Sequence, residues 1–97
     1  MKIIITDNID WNEYKKKVDE IMCSDILLSI TWDLSEMTII PWQYIPKQIE
    51  LMKYYRPIMP LHIKDNIVIL PNKQWKQILE FIFTIIPPIV PISLQYK

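Results

Sequence analysis

The sequence predicts a two-layer α/β domain, a mixed sheet of about four to five strands with about three helices packed on one of its faces. Three observations carry this expectation. Apolar residues switch repeatedly between a period of two and a period near 3.6, so strand-like and helix-like stretches alternate along the chain. The clearest strand-like stretch sets Ile26, Leu28, Ile30, Trp32 and Leu34 against Leu27, Ser29, Thr31 and Asp33. A parallel strand covered on both sides would be apolar throughout, so this pattern places helices on one face only. Finally, 97 residues, 51% of them hydrophobic, suffice for one core but not for two, so residues 1–97 read as a single domain.

Each element follows from its own signals. Ile3 to Thr6 reads as a short strand, after which Asp10, with Glu13 three residues on, reads as a capping box that opens a helix at Trp11. Trp11, Tyr14, Val18, Ile21 and Met22 form its apolar stripe, and Lys15, Lys16 and Lys17 its solvated side. Ser24-Asp25 ends it before the strand at Ile26 to Leu34. A second helix is expected from about Pro46, where a missing amide donor costs nothing, to Tyr55, because Pro57 and Pro60 forbid continuation. Leu61 to Leu70 is strand-like, and Asp65-Asn66 within it reads equally as a hairpin turn or as a bulge. Asn72 caps a third helix whose Trp75, Ile78, Leu79, Ile82 and Ile86 face the core until Pro87-Pro88 stops it. Ile89 to Tyr96 returns as a strand, and Pro91 marks it as an edge.

Composition narrows the function classes. Eleven basic and eleven acidic side chains cancel, which argues against a nucleic-acid partner. Residues 1–36 carry eight acids against four lysines and residues 37–97 three acids against seven bases, a polarity that either neutralises itself or favours head-to-tail association. Cys23 is the only cysteine, so it forms no disulfide within the chain, reads as packed, and fits a reducing, intracellular, cytoplasmic setting. The apolar run from Phe81 to Val90 falls well short of the ~20 residues of a membrane span. Glycine and alanine are absent while Ile and Lys abound, as in the AT-rich coding of many large DNA viruses and some protists. Without glycine there is no glycine-rich phosphate loop, and Asn, Asp and Pro must make the turns.

Residues Ile26-Leu27-Leu28-Ser29-Ile30-Thr31-Trp32-Asp33-Leu34-Ser35-Glu36-Met37-Thr38-Ile39-Ile40 run as an apolar strand, Asp-Leu-Ser, a further residue, then apolar, Thr, apolar. This stretch resembles a STAS domain, the fold of anti-sigma factor antagonists and of sulfate-transporter cytoplasmic tails, and the remainder of the chain is similar in its order of elements. The resemblance implies a STAS-like two-layer fold serving protein–protein interaction, with no cofactor. In that family an Asp-Ser-Ser/Ala-Gly turn follows, and its serine is the phosphorylated switch. Here Pro41-Trp42-Gln43-Tyr44 stands instead, and Pro41 and Trp42 offer no hydroxyl to phosphorylate. Trp42 and Tyr44 are candidate interaction residues in its place.

No constellation for catalysis emerges. His62 reads as a strand residue sharing a face with Lys64, and no motif links it to an orienting acid such as Asp33 or Asp65. With Ser29, Thr31 and Asp33 these two are assigned to an exposed sheet face. Asp7, Asp10 and Glu13 resemble a carboxylate cluster, but capping accounts for two of the three, so no metal site is assigned. The expected role is a non-enzymatic interaction or self-assembly module. The alternatives are a small ligand-binding domain or enzyme with a pocket near Asp33 and Trp42, and a nucleic-acid accessory protein. Phe81, Phe83 and Ile85 add apolar surface around the third helix beyond its core stripe, and either a second copy covers it, giving a homodimer, or the final strand does through Ile89 and Tyr96.

Overall fold

A chain without glycine has no cheap route to the positive-φ turns that close tight hairpins. The computed structural model, which describes residues 1–97, contains no residue at positive φ, and all its strand pairs are parallel. The elements are β1 (Lys2–Ile4), α1 (Trp11–Met22), β2 (Leu28–Asp33), α2 (Ile45–Tyr55), the one-turn α3 (Met59–His62), β3 (Ile63–Leu70), α4 (Lys73–Ile85) and β4 (Ile92–Tyr96). The strands lie in the order β1-β2-β3-β4. Each connection is therefore a helical crossover to the next strand in the same direction. Since such crossovers are right-handed, successive ones deliver their helices to the same side of the sheet. The expected two-layer plan is realised, with a sheet parallel throughout where the sequence reading expects a mixed one.

Local chemistry sets the helix boundaries close to their expected positions. The Asn72 side chain accepts from the Trp75 amide at 3.2 Å, the expected cap of α4. Pro46 sits in the first turn of α2, which a 3-10 turn over Trp42–Tyr44 leads into. Asp10 occupies the N-cap position of α1 in extended conformation, but its side chain makes no cap hydrogen bond, so the capping box does not form. Cys23 is exposed at the C-terminal end of α1 and not packed as expected, because the stripe Val18, Ile21, Met22 has turned away from it. Ser24 then closes the turn, accepting from the Ile26 amide at 3.2 Å.

Around Asp65-Asn66 the chain is one continuous strand. Leu28 pairs with Ile63 and Ser29 with Asp65, which leaves Lys64 as the extra residue of a bulge. His62 belongs to α3 and not to the strand. Its Nδ1 lies 3.0 Å from the Ser24 carbonyl oxygen, half-buried against the α1–β2 turn. β4 is an edge strand, as Pro91 suggests, though it begins at Ile92, three residues later than expected.

The core lies between the sheet and the helices. Ile3, Trp32, Val68 and Leu94 align across the sheet, as do Ile30, Asn66 and Ile92. Ile30 and Leu70 are sealed completely, at 1% and 0% exposure. Val18, Ile21 and Met22 of α1, Leu51 of α2 and Trp75 of α4 pack onto them. Tyr55 donates to Asp19, joining α2 to α1, and Arg56 Nη1 donates to the Pro87 carbonyl oxygen at 2.5 Å, joining α2 to the exit of α4. The radius of gyration, 12.7 Å, is that of one compact unit of this length.

Candidate functional site

Two surfaces stand out, one on each side of the sheet. The pleat that turns Ile3, Ile30 and Val68 inward turns Lys2, Ile4, Ser29, Thr31, Asp33, Asp65, Ile67, Ile69, Ser93 and Gln95 to the other side. Register sets Ile4, Asp33, Ile69 and Gln95 in one row and Lys2, Thr31, Ile67 and Ser93 in the next. None of these side chains is buried, and Ile4 is 56% exposed. The face is a mixture of isoleucines and small polar residues, with one close ion pair of 3.5 Å between Lys2 Nζ and Asp33.

Ser29, Thr31 and Asp33 lie on this face as expected, although Thr31 and Asp33 are half-buried. Asp33 is engaged locally. Its Oδ1 accepts from the Ser35 amide at 2.9 Å and from the Ser35 hydroxyl at 2.6 Å, holding the turn that leaves β2. These bonds, with Lys2 nearby, hold its carboxyl below the usual carboxylate range. Asp33 pairs with Ile69 near the far end of β3. At about 3.3 Å per residue it stands roughly 20 Å from His62, too far to orient it. Lys64 is exposed on the bulge. Asp7 is also occupied, accepting from the Thr38 hydroxyl and amide and from the Ile39 amide at 3.3 Å, and this clamp joins the β1–α1 and β2–α2 loops.

The second surface is an apolar cleft between the helices and the covered face. One chamber of about 180 Å³ lies among Val18, Met22, Leu51, Tyr55, Ile63 and Val90, and another of about 210 Å³ among Trp11, Met37, Ile39, Tyr44, Trp75 and Ile78. Ile5, Tyr14, Leu34, Gln48, Leu79 and Ile82 line both, so the chambers adjoin along these shared residues. Aromatic rings run along the cleft: Tyr44 and Trp11 are 5.7 Å apart between centroids, Trp11 and Tyr14 5.4 Å, Tyr14 and Trp32 6.2 Å. Burial pushes the Tyr14 hydroxyl up to about 12, partly offset by Gln48 beside it. In the first chamber Trp32 Nε1 donates to Asn66 Oδ1 at 3.0 Å.

Of the expected interaction residues, Trp42 and Phe81 are 62% and 61% exposed, and Ile85 is exposed one turn beyond Phe81 on the outside of α4. Tyr44 is half-buried against Trp11, and Phe83 lines the first chamber. The structure thus does not gather these five into one surface. Neither Asp33 nor Trp42 lines the cleft, although their neighbours Leu34, Pro41 and Gln43 do, and Tyr14, Gln48 and Asn66 among its polar groups carry no sequence motif. The one visible signal is Asn66 itself, a polar residue at an inward position of an apolar strand.

Comparison with family models, with curated proteins and with solved structures returns no match to this chain. No helix is long and apolar enough to cross a membrane.

Proposed function

We propose that the chain is a non-enzymatic self-assembly module that pairs with a second copy through the uncovered face of its sheet. The observation that carries this reading is a parallel sheet with helices on one side only, whereas parallel sheets are ordinarily covered on both. Ile67 and Ile69 of the inner strand β3 and Ile4 of the edge strand β1 are the apolar residues of the bare face, interleaved with Thr31, Asp33, Ser93 and Gln95. Lys2 and Asp33 give the face both signs of charge, so a two-fold-related copy sets Lys2 of each chain against Asp33 of the other. The resemblance of residues 26–40 to STAS domains supports the same reading.

Sedimentation equilibrium over a wide concentration range tests it. The wild type is expected to dimerise reversibly. Ile69→Lys, which places a charge at the centre of the face, is expected to be monomeric, while Phe81→Glu leaves association unchanged. Full burial of an isoleucine is worth about 1.5–3 kcal/mol, so three half-exposed ones contribute roughly 1 kcal/mol each per chain. A wild type that stays monomeric at millimolar concentration refutes the proposal. So does a dimer that Phe81→Glu breaks and Ile69→Lys does not, which would move the interface to α4.

A further inference from the structure

Of the two edges of the sheet, only β4 is left open to a further strand. Natural edges are guarded by shortness, charge, proline or a bulge. β1 has only three residues and carries Lys2. β4 has five, Ile-Ser-Leu-Gln-Tyr, with no charge and no proline, and it pairs with β3 without a shift in register. The Asn66 amide donates to the Pro91 carbonyl oxygen at 2.9 Å and the Lys97 amide to that of Leu70 at 3.2 Å, so the odd-numbered residues of β4 face β3. Backbone groups alternate along a strand, so Ile92, Leu94 and Tyr96 turn their N–H and C=O groups outward. Their side chains lie on the covered face and those of Ser93 and Gln95 on the bare one, so the strand that fits here is apolar on one side and polar on the other. β4 is itself such a strand. Placed antiparallel to a second copy about Leu94, it sets Ile92 against Tyr96 and Ser93 against Gln95, and all three outward residues find a partner.

The face-to-face dimer brings two such edges together. Setting Lys2 of one chain against Asp33 of the other exchanges the row Lys2, Thr31, Ile67, Ser93 with the row Ile4, Asp33, Ile69, Gln95. The two-fold axis then runs across the strands midway between those rows, at the level of Ile3, Trp32, Val68 and Leu94. Ile67 faces Ile69 of the second copy, and β4 lies over β4, so both open edges are on the same side of the dimer. Leu94, the centre about which β4 pairs with itself, stands on the level of that axis. We propose, resting on the face-to-face pairing, that two dimers join edge to edge through β4 into a tetramer. Both sheets then continue from four strands to eight, and the two edge contacts form at once. A single strand pair is marginal in water, so an unpaired monomer gains little from its one edge, while the dimer gains from two.

Sedimentation of the purified chain up to millimolar concentration tests this, together with amide hydrogen exchange. The wild type is expected to pass from monomer to dimer to tetramer. Tyr96→Pro removes an outward amide that the ladder to β3 does not use. It is expected to leave the dimer intact and to raise the dimer–tetramer midpoint about a hundredfold, four chains each losing one hydrogen bond worth about threefold. The amides of Ile92, Leu94 and Tyr96 are expected to exchange at least tenfold more slowly in the tetramer, while the outward amides of Lys2 and Ile4 stay fast. A wild type that stops at the dimer overturns the proposal and leaves the face-to-face reading standing. One that stays monomeric overturns both. A tetramer that Tyr96→Pro does not weaken, or that protects Lys2 and Ile4 and not β4, places the contact elsewhere and overturns the proposal. Should Tyr96→Pro not fold, the exchange pattern of the wild type decides alone.

Discussion

The hydrogen bond from Trp32 Nε1 to Asn66 Oδ1 joins β2 to β3 across the covered face at 3.0 Å, and both residues are half-buried. Replacing Asn66 by Leu keeps the volume but strands the indole N–H in an apolar wall. The cost of leaving a donor unpaired is about 1–3 kcal/mol, and partial exposure puts this one at the low end, about 1 kcal/mol. For a domain of this size that is a fall in melting temperature of roughly 4–8 °C. Trp32→Phe leaves the Asn66 amide unpaired at a similar cost and also forfeits apolar area. In the double variant neither partner remains, and the unpaired-group penalty is absent. Thermal and urea unfolding of the four proteins therefore should give a double variant about 1 kcal/mol more stable than the two single effects predict together. If the single effects add to within about 0.3 kcal/mol, the pair is not coupled and the account of this contact is wrong.

Stability is expected to fall at both ends of the pH scale. Asp7, Asp19 and Asp33 are held below the usual carboxylate range, Asp7 and Asp33 by their hydroxyl and amide donors and Asp19 by the Tyr55 hydroxyl and Lys15. Their contribution is complete above the unfolded value near 4 and is lost as pH drops through the depressed folded values. The Tyr14 and Tyr55 hydroxyls are raised to about 12, Tyr14 by burial and Tyr55 by the Asp19 carboxylate it donates to. Their contribution holds below the unfolded value near 10 and disappears as pH rises toward about 12. Chemical denaturation across pH should show both limbs, and an alkaline limb unchanged in the Tyr14→Phe, Tyr55→Phe double variant would refute the second. Cys23 is expected to react with a thiol reagent in the native state at one equivalent per chain, and reaction only after unfolding would contradict its exposed position.

Much of the architecture is legible in local signals that act over a few residues. Asn72, Pro46, Pro57 and the Pro87-Pro88 pair set helix limits because capping and missing amides are properties of the residue itself. The alternation around Ser29 and Thr31 indicates a one-sided sheet because a strand's faces differ whatever it pairs with. Strand direction is not legible in this way. The absence of glycine carries the relevant information, since a chain that avoids positive φ has little use for tight antiparallel returns, yet an absence makes no local pattern. His62 reads as a strand residue because Leu61 and His62 continue the apolar run of β3, while Pro60 turns them into the last residues of a helical turn. The cleft is illegible for a different reason. Tyr14 and Gln48 stand on different helices, far apart in sequence, and only packing brings them together between the two chambers.

Because strand order repeats chain order, the domain can be assembled in the direction in which it is synthesised. β2 finds β1 already in place, β3 finds β2, and each arriving strand pairs with the one made just before it, separated only by its own helical crossover. No strand waits for a partner from the far end of the chain, so few long loops must close before contacts reward them. Until β4 emerges, the last edge open to the solvent belongs to β3, whose Ile63, Val68 and Leu70 end among the most buried residues of the molecule. The growing chain is therefore most exposed to mispairing at the step before its last strand.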